Sequence, residues 1–193
     1  MIHNKYFEIL KQFIGNYNRE VYGRQLINTV NISQKNIALT LNELENKAIL
    51  KSIKRGNMKF HSLNLKNPQI KDYIIIIEFL RKIGFLLKYK KLAHIFNKDD
   101  RIIGIFGSYA KEKQKKESDI DVFVIGNKKK EDYYEAGKLY DLDISIKYFT
   151  KEEFKILLKE KNKLMNEIIE NHILIFNIEK FIGLIWSDYY GFD

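Results

Sequence analysis

Residues 102–126 read IIGIFGSYAKEKQKKESDIDVFVIG. The apolar, β-branched run IIGIF (102–106) reads as a buried strand and ends in Gly107-Ser108. A lysine-rich spacer follows, and a second apolar run, DIDVFVIG (119–126), carries Asp119 and Asp121. Residues two apart on a strand share a face, so the two carboxylates project together while Ile120 and Val122 face the other way. Ionised carboxylates are costly to desolvate, and two on one face also repel each other. The pattern therefore predicts a compensating divalent cation. Gly107 lets backbone approach a phosphate closely, and Ser108 adds a hydroxyl donor.

A third strand is expected in LYDLDISIKYF (139–149), with Asp141, Asp143 and Ser145 on one face and Leu142, Ile144 and Ile146 on the other. Beside the second strand, at a spacing of about 4.8 Å, it would bring a third carboxylate to the first two. Three acids on adjacent strands make a hard-oxygen cage suited to Mg²⁺. Two such ions roughly 3.5–4 Å apart can activate an attacking oxygen and stabilise a leaving one. Asp143, deeper in the apolar run, is the preferred third acid, with Asp141 as the alternative.

Gly107-Ser108, a short spacer, Asp119-Ile120-Asp121-Val122 and a later Asp143 resemble the signature of the polymerase-β-like nucleotidyltransferases. The resemblance is closest to the minimal nucleotidyltransferase branch and covers about residues 100–178. It implies that Asp119, Asp121 and Asp143 hold metal and do the catalysis, with Asp143 near the acceptor oxygen. It implies that Gly107 and Ser108 bind nucleotide phosphate, and that Lys111 sits where the family often carries a basic, phosphate-touching residue. The implied reaction moves a nucleoside monophosphate from an NTP, with ATP expected, to a hydroxyl and releases pyrophosphate. Small relatives often work with a helical partner protein in toxin–antitoxin pairs, which makes a partner's tyrosine a candidate acceptor.

The first third differs in charge. Residues 1–67 hold 11 Lys+Arg and 4 Glu with no Asp, a net of +7, against +2 for the remainder. A helical stripe in NKYFEILKQFIGNYN, a short helix in VYGRQLINTV and a helix capped by Ser33 with Ile37, Leu41, Leu44 and Ala48 on its apolar side come first. ILKSIKRGNMKFHSLNL then alternates, with Arg55-Gly56-Asn57 at a hairpin turn. That order resembles a winged helix-turn-helix over about residues 4–66. The resemblance and the charge predict double-stranded DNA as partner. Gln34, Lys35, Asn36 and Thr40 would face the groove, and Lys51, Lys54, Arg55 and Lys59 would meet phosphates.

Residues 68–99 read as a linking helix from Pro68, or two helices broken near Gly84. Their dense isoleucines are assigned to packing within the chain, with a homodimer interface as the alternative. After the third strand come two helices, a strand at 173–176 and an apolar-aromatic C-terminal helix whose Trp186 and Tyr189 are read as packing residues. Thr150 and Glu153 form a capping box. There is no cysteine, which excludes disulfides and Cys-based zinc sites. His3, His61, His94 and His172 lack metal-ligand spacing, and no Walker loop or G-x-G-x-x-G occurs. The N-terminus has no signal-peptide pattern and no apolar run approaches a membrane span, so a cytoplasmic protein is expected.

The expectation is therefore an α/β (α+β) nucleotidyltransferase core, a small mixed sheet flanked by helices over 100–193. A winged helix-turn-helix at 1–67 and a linking helix at 68–99 precede it. The contrasting expectation is a DNA-binding regulator whose second domain only senses nucleotide.

Overall fold

The computed structural model describes residues 5–115, 118–129, 132–160 and 162–192. The chain divides into two compact units, Met1–Ile77 and Glu78–Asp193, the division falling inside a helix.

In the first unit, α1 (Lys5–Leu10) leads through a 3-10 turn to β1 (Val21–Tyr22), α2 (Gly23–Leu26), α3 (Gln34–Asn46), β2 (Leu50–Arg55) and β3 (Met58–Leu63). The strands form an antiparallel sheet in the order β1-β3-β2. Ser33 caps α3, its Oγ accepting from the Asn36 N–H at 3.4 Å. Ile37, Thr40, Leu41 and Leu44 recur at three to four residues and are all buried. Helices α1 and α2, whose Ile9 and Leu26 are buried, pack on α3. The helix stops at Asn46, and Ala48 lies beyond it, exposed at φ 54°, not on the apolar stripe. Arg55 pairs with Met58 across the two-residue turn Gly56-Asn57, with Gly56 at φ 58°.

Helix α4 (Ile70–Lys88) runs uninterrupted through Gly84. The break comes five residues later at Tyr89 (φ −111°, ψ 68°), before α5 (Lys90–Ile95). In the second unit follow β4 (Ile102–Phe106), α6 (Gly107–Ala110), β5 (Ile120–Ile125), α7 (Tyr133–Lys138), β6 (Ile144–Phe149), α8 (Lys151–Glu160), α9 (Lys163–Glu170), β7 (Ile173–Phe176) and α10 (Ile178–Asp188). The mixed sheet has the order β6-β5-β4-β7. The β4/β5 and β4/β7 pairs are antiparallel and β5/β6 is parallel, joined through α7. The second strand thus starts at Ile120, one residue after Asp119. The third starts at Ile144 rather than 139, because the segment before it is spent closing the α7 crossover.

One sheet face, with Ile103, Ile105, Val122 and Val124, packs with Phe85, Leu92, Phe96 and Tyr133. The other presents Phe123 to Phe181 of α10, and Phe181 to Phe154 of α8. Gly104 lies opposite Phe123, and a Cβ there would meet its ring at 2.5 Å. Two polar clusters are built into this unit. Glu78 and His172 are fully buried. The His172 Nε2 faces the Glu78 Oε1 at 3.0 Å, while Arg81 donates to Glu78 at 2.8 Å and to the His172 carbonyl at 2.7 Å. Burial pushes the Glu78 carboxyl up, but Arg81 and His172 outweigh it and the net direction is down.

Just ahead of β4, Arg101 donates to Asp99 at 2.7 Å and to Asp132 at 2.8 Å, with all three side chains under one-tenth exposed. The Tyr133 and Tyr148 hydroxyls donate to Asp99 and Asp132 at 2.6 and 2.5 Å. Among the described residues no helix is long and apolar enough to cross a membrane.

Candidate active site

Strand β4 delivers the chain into Gly107, which is buried at φ 69°. That conformation favours glycine, and a Cβ at this position would overlap the Asp121 Oδ2. The Asp121 carboxylate therefore rests against the bend, and the hydroxyl-bearing Ser108 follows in the single turn of α6, half-buried. Phe106 and Asp121 are register partners, which fixes the carboxylate at the end of β4 on the Phe123 face.

Asp121 is half-buried and Asp119 exposed. Burial first, then the charges of Asp119 and Glu167, push the Asp121 carboxyl up, with Lys147 opposing. Neither Asp119, Asp121 nor Asp143 takes part in an ion pair or a side-chain hydrogen bond among the described residues. Among the described residues the Asp121 carboxylate feels the charge of Lys147 without being paired to it.

The parallel β5/β6 ladder sets Ile144 beside Ile120 and Ser145 beside Asp121. Asp143 stands one residue ahead of β6, level with Asp119, and its carbonyl accepts from the Ile120 N–H at 2.8 Å. Asp141 sits off the strand, in the turn after α7, at φ 55°. Among the described residues no group of three or more His, Asp or Glu side chains is close enough to hold a metal ion. Asp119 and Asp121 lie two residues apart at the start of β5, and the Asp119 charge acts on the Asp121 carboxyl. Hard carboxylate oxygens are what Mg²⁺ takes.

Two residues at this end of the sheet were not singled out from sequence. Glu167, on α9, pairs with Lys111 at 2.7 Å, so the lysine predicted to touch phosphate is held by a carboxylate. Glu167 also raises Asp121. Its 46-residue separation from Asp121 left no local signal, since α9 reads only as an amphipathic helix with Met165, Ile168 and Ile169 inward. Lys147 continues the alternation Asp143-Ser145-Lys147.

In the first unit, Gln34, Lys35 and Asn36 lie exposed on the first turn of α3. Thr40 does not face outward with them. It is fully buried, because it falls on the helix face of Ile37, Leu41 and Leu44, and its hydroxyl finds no partner in the described residues. Lys51 and Lys54 are exposed on β2. Arg55 pairs with Glu20 at 2.6 Å and stands over the Phe60 ring, and Lys59 pairs with Glu45 at 2.5 Å. The exposed Arg55–Glu20 pair is worth no more than about 1 kcal/mol, so Arg55 can exchange partners, while the Lys59–Glu45 pair is partly buried. Buried His61 lies 3.9 Å from Glu45, and His172 belongs to the Glu78 cluster.

Residues 90–181 match the model of the family described as polymerase beta, nucleotidyltransferase. The matched span, just under half of the chain, takes in Gly107, Ser108, Asp119, Asp121 and Asp143. A small mixed sheet flanked by helices fits a nucleotidyltransferase core, and the match supports a nucleotidyltransferase activity. No curated protein and no solved structure matched the chain.

Proposed function

We propose that residues 100–193 transfer a nucleoside monophosphate from a magnesium-bound NTP, ATP being the expected one, to an acceptor hydroxyl, with release of pyrophosphate. The observation that carries this reading is the Asp119–Asp121 pair at the start of β5, with Asp121 set against the Gly107 bend and neither carboxylate in an ion pair among the described residues. Asp119 and Asp121 would hold the metal, Asp143 would complete the set, and one or two Mg²⁺ would supply charge neutralisation at the reacting phosphate.

Each residue then has a part in the transfer. The backbone at Gly107 and the Ser108 hydroxyl hold the nucleotide phosphates. Lys111 leaves Glu167 for the phosphate charge once nucleotide enters, an exchange that costs little for a partly exposed pair. Asp143 lies toward the acceptor and takes its proton as the acceptor oxygen forms a bond to the α-phosphorus. The bond from that phosphorus to the pyrophosphate oxygen breaks, and pyrophosphate leaves with the electron pair.

The acceptor is proposed to be a tyrosine of a small helical partner protein. The first unit is proposed to act as a winged helix-turn-helix that lays the start of α3 in a duplex major groove, with Gln34, Lys35 and Asn36 outward. Lys51, Lys54, Arg55 and Lys59 would meet phosphates. The order of helices and strands and the +7 charge of residues 1–67 support this part.

The test is incubation with α-labelled ATP and Mg²⁺, following pyrophosphate release and label on protein. Activity should be lost in Asp119→Asn and kept in Lys54→Ala, whereas salt-sensitive duplex binding should weaken in Lys54→Ala alone. A second reading, a DNA-binding regulator that only senses nucleotide, is favoured by the lack of a three-acid metal cluster among the described residues. It predicts magnesium-dependent ATP binding with no pyrophosphate release.

A further inference from the structure

The middle strand of the first unit's sheet carries a histidine whose ring is left incomplete. His61 stands on β3 between its register partners, Val21 on β1 and Ser52 on β2. Its side chain is 4% exposed, and its Nδ1 finds no hydrogen-bond partner among the described residues. A carboxylate lies just out of reach. The Glu45 Oε2 of α3 is 3.9 Å away, about 1 Å beyond a hydrogen bond.

That carboxylate is already held. The Lys59 Nζ stands 2.5 Å from the same Oε2, and the Ser52 hydroxyl donates to Oε1 at 2.6 Å. Lys59 lies two residues before His61 on β3, so both side chains leave the strand on one face. Lys54 on β2 is the register partner of Lys59 and adds a second positive charge to that face. Arg24 of α2 and His61 line the same cavity of about 510 Å³, while Val21 brings no charge from β1. Among these groups Glu45 is the only carboxylate.

A neutral ring suits this arrangement and a charged one does not. Burial lowers His61 from its ordinary value, the Glu45 charge opposes, and the Lys59 charge lowers it further. The ring therefore takes up a proton only below the ordinary histidine value of about 6.5. Once it does, its Nδ1–H is a charged, buried donor that needs Glu45 and repels Lys59. Arg24, Asn42 and Met58 of the cavity lining are exposed, so the cavity opens at the surface and gives solvent a path to the ring. The Lys59 side chain is 38% exposed and can swing outward.

We propose that His61 and Lys59 compete for Glu45. Protonation of the ring releases Lys59 to a polyanion, and a polyanion that draws Lys59 away leaves Glu45 to a protonated ring. The consequence for duplex binding rests on the reading of the first unit as a DNA-binding module, whereas the competition itself does not. The test has two arms, both on the full chain. In the first, the His61 imidazole resonance, identified by its loss in His61→Gln, is titrated by NMR without nucleic acid. Lys59→Gln should raise its midpoint by about one pH unit, and Lys59→Arg should leave it in place.

In the second arm, anisotropy of a fluorescent duplex across a salt series follows binding from about pH 7.5 to about pH 5. The salt slope should steepen on acidification by about 0.9, one phosphate contact. That change should vanish in His61→Gln and in Lys59→Gln. His61→Gln should match the unsubstituted protein at neutral pH, which separates the switch from folding. A midpoint unmoved by Lys59→Gln would overturn the proposal, as would an acid response that survives His61→Gln. A chain that shows the midpoint shift but binds no duplex at any pH would sustain the competition and sink the duplex reading instead.

Discussion

The second unit carries aspartate pairs at both ends of one sheet, and the two are treated in opposite ways. At the Arg101 end, Asp99 and Asp132 share a guanidinium and each accepts from a tyrosine hydroxyl. Burial alone would raise both, but these donors outweigh it and lower both, Asp99 to well below the usual carboxylate range. At the Gly107 end, Asp119 and Asp121 have no such donors among the described residues, and the Asp121 carboxyl is pushed up. Aspartates that a fold uses for itself come with their cations built in. Aspartates that it leaves charged and crowded suit the proposed role of holding a cation from outside.

The largest effect that would break this contrast is on turnover. Asp121→Asn should lower nucleotidyl transfer by on the order of 10³-fold, equivalent to several kcal/mol of transition-state stabilisation, in an assay of pyrophosphate release. The same substitution should raise stability at pH 7 by roughly 0.5–1 kcal/mol in urea unfolding, because it removes an uncompensated charge. The sign follows from the raised folded-state pKa. The ionised carboxyl costs stability above that pKa, and the cost fades as the group protonates, so the gain should vanish in acid.

At the other end the expectation reverses. Arg101→Met leaves two buried carboxylates without their cation and should cost about 3–5 kcal/mol by the same measurement. In the unsubstituted protein this cluster's stabilisation is present above the ordinary aspartate pKa. It is lost only as pH falls through the lowered folded-state values, so acid unfolding should begin below the usual carboxylate range. The smallest effect falls on the pH profile. Glu167→Gln removes one of the charges raising Asp121, so the acid limb of activity should move to lower pH. It also frees Lys111, and KM for the nucleotide should change by only a few fold.

The aspartate end was legible in sequence because its parts are local. Strand alternation alone gives Asp119 and Asp121 one side, and the glycine-serine bend follows an apolar run directly. The Arg101 end was not. NKDD at 97–100 reads as a helix terminus, and the second partner, Asp132, comes 31 residues after Arg101. Thr40 was misread for a related reason. A polar threonine in mid-helix looks exposed, but Thr40 falls four residues before Leu44 and three after Ile37, on the core stripe. Neither the choice of β6 as a parallel neighbour nor the Lys111–Glu167 pair is written in any short window, since both depend on where the sheet puts distant segments.

The parallel direction of β5 and β6 has a consequence for how this site tolerates change. Two strands that run the same way begin at the same rim, so acids written at the start of each are set along that one rim. The main-chain bond from Ile120 to Asp143 then pins that arrangement by backbone alone. Residues added near the outer reach of the α7 crossover would be absorbed as slack. One residue inserted between Asp143 and Ile144 would instead turn the third carboxylate to the opposite side of the sheet, into hydrocarbon.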